Sequence, residues 1–100
     1  MSERASEVTR LLAVAEPTRL RIVWLLRDGP RSVGAIAAAL KQPAVNVSHH
    51  LRLLANAGVL TASARGRFVD YRLNPEVYDP GGAGRPASLT LGDIRMVLRG

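Results

Sequence analysis

The sequence predicts an α+β chain: about four helices, then a two-stranded hairpin, then a strand-like tail. Apolar residues recur at helical spacing as far as Leu54, and from Leu60 the period drops to two. Turn signals at Asp28-Gly29-Pro30, Gly58 and Arg65-Gly66-Arg67 fall where the pattern breaks. One hundred residues, 47% of them hydrophobic, suit a single modest core.

Ser2 or Ser6 can cap a first helix in which Val8, Leu11, Leu12 and Ala15 mark one apolar stripe. Pro17 ends it and opens a second helix, Thr18 to Arg27, with Glu16 as its cap. Leu20, Ile22, Val23, Trp24, Leu25 and Leu26 wrap most of that helix, which makes it the most buried element and Trp24 a core residue. Ser32 caps a short third helix with Val33, Ile36, Ala37 and Leu40 at i, i+3, i+4, i+7. Only Lys41 and Gln42 separate Leu40 from the next helical pattern.

That fourth segment, Gln42 to Gly58, has two faces of different chemistry. Gln42 can cap it with Pro43 in the first helical position, and Gly58 closes it. Val47, Leu51 and Leu54 form an apolar stripe, while Val45, His49, Arg52 and Asn56 lie on another face beside Asn46 and Ser48. Such a helix anchors by one side and offers short hydrogen-bonding groups and a guanidinium on the other. A helix entering a DNA major groove requires this, and two short helices in tight succession make a helix-turn-helix.

Beyond Gly58, Leu60, Ala62 and Ala64 alternate with Thr61, Ser63 and Arg65; Val69, Tyr71 and Leu73 alternate with Phe68, Asp70 and Arg72. Arg65-Gly66-Arg67 is the hairpin tip, with Gly66 supplying a positive φ. A hairpin with arginines at its tip, directly after a helix-turn-helix, is a wing suited to phosphates or the minor groove. The domain expectation is a winged helix-turn-helix over 1–78, a Gly/Pro-rich linker over 79–88, and a strand-like tail over 89–100. In the tail, Leu89, Leu91, Ile94, Met96 and Leu98 alternate except for a slip at Gly92-Asp93, where a turn or bulge fits.

Charge sharpens the functional reading. The net charge is +6, and between Asp28 and Asp70 no acid occurs, while Arg31, Lys41, Arg52, Arg65 and Arg67 do. An acid-free central segment is the footprint of a polyanion-binding surface. Arginine supplies 13 of the 14 basic residues, but a genomic bias toward arginine does not by itself remove carboxylates. The candidate DNA surface is therefore Ala44, Val45, Asn46, Ser48, His49 and Arg52, with Lys41 in the preceding turn and Arg65 and Arg67 on the wing. Arg52 can fork onto guanine or grip a phosphate, and Asn46 can pair bidentately with adenine.

Several classes are disfavoured. No run approaches a membrane span and no signal peptide is visible, which makes the cytoplasm the expected compartment. With no cysteine there is no disulfide, thiolate redox sensor or thiolate metal site. His49 and His50 point about 100° apart on a helix, so they cannot share one ion; His50 reads as a packed core or hinge residue, and no cofactor or metal is expected. There is no nucleophile elbow, phosphate-cradling loop or carboxylate pair beside a histidine, so no enzyme is expected.

The blocks Leu12 to Ile22, Val47 to Leu60 and Gly66 to Leu73 together resemble the ArsR/SmtB-type winged-helix repressors, in order and with family-like spacing over about residues 8 to 74. The resemblance implies a homodimeric repressor whose recognition helices enter successive major grooves of a palindromic operator. Pro43 and Ala44 stand where such relatives often carry Ser-Gln, so the bases read should differ. The family's usual C-terminal pairing helix is replaced here by Asp79 to Pro86 and the strand-like tail. Dimerisation is accordingly expected through Val8, Leu11, Leu12 and Ala15, with the tail assisting, and an effector or protein partner stays open. Two further readings remain: an architectural DNA-binding protein of low specificity, and a protein-interaction module, which the apolar Pro43-Ala44-Val45 start and Phe68 favour.

Overall fold

The computed structural model describes residues 3–99. Helices α1 (Glu3–Val14), α2 (Pro17–Leu26), α3 (Val33–Leu40) and α4 (Ala44–Asn56) alternate with and precede strands β1 (Arg31–Ser32), β2 (Leu60–Arg65), β3 (Phe68–Leu73), β4 (Tyr78–Asp79), β5 (Ala87–Leu91) and β6 (Ile94–Leu98). The strands form two antiparallel sheets, ordered β1-β3-β2 and β4-β5-β6. The core runs through both: Val14, Ile22, Val23, Ile36, Val47, Leu51 and Leu54 from the helices cluster with Leu60, Leu73, Leu89, Leu91 and Leu98 from the strands.

The helix ends follow local chemistry. Pro17 sits in the first helical turn of α2, and the Glu16 carboxylate accepts the N–H groups of Thr18 at 3.1 Å and Arg19 at 2.9 Å, two donors a helix start otherwise leaves open. The Ser32 hydroxyl accepts Ala35 N–H and caps α3. The second helix spans Pro17–Leu26 rather than Thr18 to Arg27; Arg27 is its C-cap. Ser6 lies inside α1 rather than at its start, and the Ser2 alternative falls outside the described residues. Nor does Gln42 cap α4. Lys41 takes the left-handed conformation (φ 56°) to end α3, and Pro43 occupies the N-cap of α4 without a side-chain cap bond.

Burial differs from expectation in two places. Ile22, Val23 and Leu26 of α2 are sealed, but Leu20, Trp24 and Leu25 are only half-buried. Trp24 lies at the core margin, where its indole N–H donates to the Arg99 carbonyl at 2.9 Å. The α1 stripe divides as well: Leu11 and Val14 turn to the core, while Val8, Leu12 and Ala15 face outward. Residues about 100° apart around a helix part company once a packing surface lies on one side only.

The wing gains a third strand that its sequence did not announce, since Arg31 and Ser32 pair with Tyr71 and Asp70. The strands β2 and β3 join through Gly66-Arg67, with Gly66 at φ +61°. The tail is not one strand but a hairpin, β5 and β6, folded at the Gly92-Asp93 slip. The stretch before it is a bonded turn: Asp79 Oδ1 accepts Gly81 N–H at 2.9 Å, its other oxygen meets Arg85 Nη1 at 3.2 Å, and Gly82 and Arg85 form a bridge. Gly81, at φ +78°, has Arg85 backbone oxygen where a Cβ would project, so no side chain fits there. That turn returns the chain so that β4 pairs with β5, Tyr78 facing Leu89 and Asp79 facing Ser88.

Candidate DNA interface

Helix α4 is held by its underside and open on top. Val47, Leu51 and Leu54 are fully buried, as their spacing predicts, and Lys41, Ala44, Asn46, His49 and Arg52 are exposed. Val45 is 75% exposed, and Ser48 is half-buried at the edge of the open face. The closing end of α4 is pinned to α1, because Arg10 Nε donates to the Ala57 carbonyl at 3.1 Å. Gly58 follows at φ +84°, and its carbonyl accepts Asn74 Nδ2 at 2.9 Å, which ties the helix end to the chain leaving the wing.

A polar cluster locks α4 against the α1–α2 corner. His50 Nδ1 lies 3.2 Å from Arg19 Nη1 and 3.6 Å from Glu16 Oε2, and Arg19 Nε also donates to the Ala13 carbonyl. A guanidinium only donates, so a neutral His50 accepts from Arg19 at Nδ1, whereas a protonated His50 brings its charge to Glu16 instead. His50 thus lies half-buried where α4 meets the α1–α2 corner. Burial opposes the charge on Glu16, but the N–H groups of Arg19 and Thr18, with the charges of His50 and Arg19, outweigh it and lower the carboxyl's pKa from its ordinary 4.5. A carboxyl that binds its proton less tightly folded than unfolded adds stability above the ordinary carboxylate range. That contribution fades as pH falls through and below about 4.5. Denaturant titrations from pH 7 to pH 3 should show Glu16→Gln losing less stability on acidification than the wild type; parallel pH curves would refute this role.

On the wing the two arginines differ. Arg65 Nε and Nη2 donate to the Asp70 carboxylate at 2.7 and 3.2 Å, and the guanidinium lies 5.3 Å from the Phe68 ring centroid. The hydrogen bond from Arg65 lowers the Asp70 pKa, and Asp70 raises that of Arg65. Arg67 occupies the exposed turn. Two cations absent from the sequence-derived surface also lie on this sheet: Arg31 on β1, and Arg72, whose Nε donates to Thr61 Oγ1 at 3.1 Å. A concavity of about 350 Å³ lined by Pro30, Thr61, Ala62, Ser63, Asp70 and Arg72 opens on this sheet. The signal for Arg72 was its place between buried Tyr71 and Leu73 on a period-two strand.

Among the described residues no three of His, Asp and Glu converge as metal ligands, and the His49 and His50 rings stand 6.0 Å apart at 60°. No described helix is long and apolar enough to cross a membrane.

Known proteins show the same arrangement. A family model described as a helix-turn-helix domain matches residues 14–61. The transcriptional repressor SdpR of Bacillus subtilis is 37% identical over 65 residues, covering 65% of this chain and 72% of SdpR. The repressor SmtB of Mycobacterium tuberculosis is 44% identical over 71 residues, 71% of this chain and 51% of SmtB. The solution structure of a homodimeric winged helix-turn-helix DNA-binding domain from Mycobacterium bovis (Mb0332, a possible ArsR-family regulator) superposes with TM-score 0.69 at 32% identity, covering 72% of this chain and 67% of that one.

The chain belongs to the ArsR/SmtB family.

As an ArsR/SmtB protein it is a DNA-binding transcriptional regulator with a winged helix-turn-helix fold. It spans about half the length of SmtB. The helix-turn-helix of this member is α3 and α4, and β2 and β3 form the hairpin of its wing.

Proposed function

We propose that this ArsR/SmtB chain is a homodimeric repressor that binds a palindromic operator, with α4 in the major groove and the wing on the flanking backbone. The observation that carries the reading is α4 itself: an exposed face of Ala44, Val45, Asn46, Ser48, His49 and Arg52 over a fully buried stripe, with no carboxylate on the helix. In this reading Asn46 and Arg52 hydrogen-bond base edges, Ala44 and Val45 meet thymine methyl groups, and Ser48, His49 and Lys41 contact base edges or phosphates. Arg67 takes the phosphate or minor-groove contact of the wing. Arg65, already matched to Asp70, stiffens the tip and adds charge rather than a free fork.

The dimer forms through the outward stripe of α1. Val8 is 52% and Leu12 64% exposed, with Ala15 in line, and Leu12 borders a shallow groove of about 310 Å³ shared with Leu53. Leu11 supports that surface from beneath. The protein acts by occupancy of DNA, in the cytoplasm and without catalysis, which agrees with a family made of regulators.

Fluorescence anisotropy on a duplex from the gene's own upstream region, beside a scrambled duplex across a salt series, tests the proposal. A specific repressor prefers the native duplex by roughly a thousandfold or more. Arg52→Ala weakens that complex by about 5- to 150-fold, the 1–3 kcal/mol of a lost bidentate contact, with thermal stability unchanged. Equal binding to both duplexes, collapsing with salt, would make the protein architectural. Binding to neither at low salt would make the domain a protein-interaction module, with exposed Val45 and Phe68 as its contact residues.

A further inference from the structure

The strand β6 ends its sheet: in the order β4-β5-β6 no strand among the described residues covers its outer side. It is five residues long, regular in register with β5, and has no proline or bulge, and Ile94 and Val97 are 39% and 40% exposed. Proteins usually blunt such an edge, because its row of unpaired N–H and C=O groups invites another strand. Arg95 and Arg99 are the charges on this one, and Trp24 covers only its far end.

Hairpin geometry shows which groups are open. Leu91 and Ile94 flank the two-residue turn at Gly92-Asp93, so they form the hydrogen-bonded pair, as do Leu89 with Met96 and Ala87 with Leu98. The N–H groups of Ile94, Met96 and Leu98 therefore face β5, and those of Arg95 and Val97 face outward. Consistently, the Thr90 N–H, opposite Arg95, points away from β6 and bonds Val77 oxygen at 2.7 Å. At the far end the Arg99 carbonyl is taken by Trp24, which leaves Arg95 and Val97 as the pairing groups of the edge.

We infer that β6 pairs antiparallel with β6 of a second copy, joining the two three-stranded sheets into one of six strands across the dimer. The sequence of β6 suits itself in one register. With the two-fold axis at Met96, Arg95 faces Val97 of the second copy, Ile94 faces Leu98, and Asp93 faces Arg99 at both ends. Centring on Arg95 sets arginine against arginine, and centring on Val97 sets Arg95 against Arg99; like charges directly opposed are unfavourable. The favoured register thus opposes no like charges and brings two acid–base pairs together. The Glu7 side chain packs onto Gly92 so closely that a Cβ there would overlap it, which sets the turn that leads into β6 against α1.

The inference rests on the homodimer reading above, and the experiment separates the two. Sedimentation equilibrium of the whole chain gives the dimer affinity for the wild type, Val97→Pro, Leu12→Glu, Asp93→Arg, and Asp93→Arg with Arg99→Asp. Proline at 97 removes an outward N–H and spares the β5 ladder, so it weakens the dimer by about tenfold or more while the circular dichroism holds. The single charge reversal weakens the dimer, and the double reversal restores it. Amide hydrogen exchange on the wild type needs no variant to fold: Met96 and Leu98 stay protected at every concentration, and Arg95 and Val97 become protected only in the dimer. A folded Val97→Pro dimer of unchanged strength, or fast exchange at Arg95 and Val97 in the dimer, would overturn the edge pairing. If Leu12→Glu alone dissociates the dimer, the α1 interface stands without it. A wild type that stays monomeric throughout removes the homodimer and the pairing together.

Discussion

A chain ending at Pro86 does not fold. Such a truncation removes β5 and β6 and with them Leu89, Leu91 and Leu98, all buried against the helices, as well as Ala87 and Met96 packed at the core margin. At about 1.5–3 kcal/mol for each buried leucine, the loss is about 5–9 kcal/mol, comparable with the whole stability of a domain of this size, about 5–15 kcal/mol. It also opens the undersides of α1 and α2 to water. Far-ultraviolet circular dichroism should show the helical signal collapsing, and proton NMR should lose its upfield methyl resonances. A cooperative melt within a few degrees of the full chain would refute the prediction and make the hairpin an accessory. The result matters for function, because a core shared between the winged helix and the hairpin couples the dimer edge to the DNA-reading half.

The second large effect is Leu51→Ala. Leu51 lies at the centre of the α4 underside with no exposed surface, in a cluster with Ile36, Val47 and Leu54. Removing its branched end costs lost transfer energy plus an unfilled cavity, about 2–5 kcal/mol in well-packed sites. For a domain of about 100 residues each kcal/mol moves the melting temperature by roughly 4–8 °C, so calorimetry should show a fall of at least about 8 °C. Well below that lowered transition the exposed face is unchanged, so operator affinity should fall far less than for Arg52→Ala. The two substitutions sit one residue apart on one helix. Together they separate what holds the helix from what the helix reads; a Leu51→Ala protein as stable as wild type would show α4 to be loosely seated.

Much of this was legible in the sequence because it depends on local chemistry. The stripe of Val47, Leu51 and Leu54 follows from the 3.6-residue period, the Glu16 and Ser32 caps from the needs of helix starts, and the wing turn from a glycine that accepts a positive φ. The acid-free segment between Asp28 and Asp70 pointed to a polyanion before any fold was known. Even the break in the tail was visible at Gly92-Asp93, although it proved to be a complete hairpin turn.

What only the tertiary structure decided are relations between distant segments. Periodicity shows that α1 has an apolar side, but which of Leu11 and Leu12 is buried depends on where α4 and β5 come to lie. The two-residue β1 is too short to announce itself and exists because β3 offers an edge. Arg65 looked like a free wing cation until the register of β2 and β3 set Asp70 within reach of its guanidinium. Trp24 read as core from its apolar run, yet its N–H needs a partner, and the Arg99 carbonyl at the core margin supplies one. Local spacing and composition set each element and the face it presents; the choice of partner across the chain is a packing decision, made where surfaces compete for the same core.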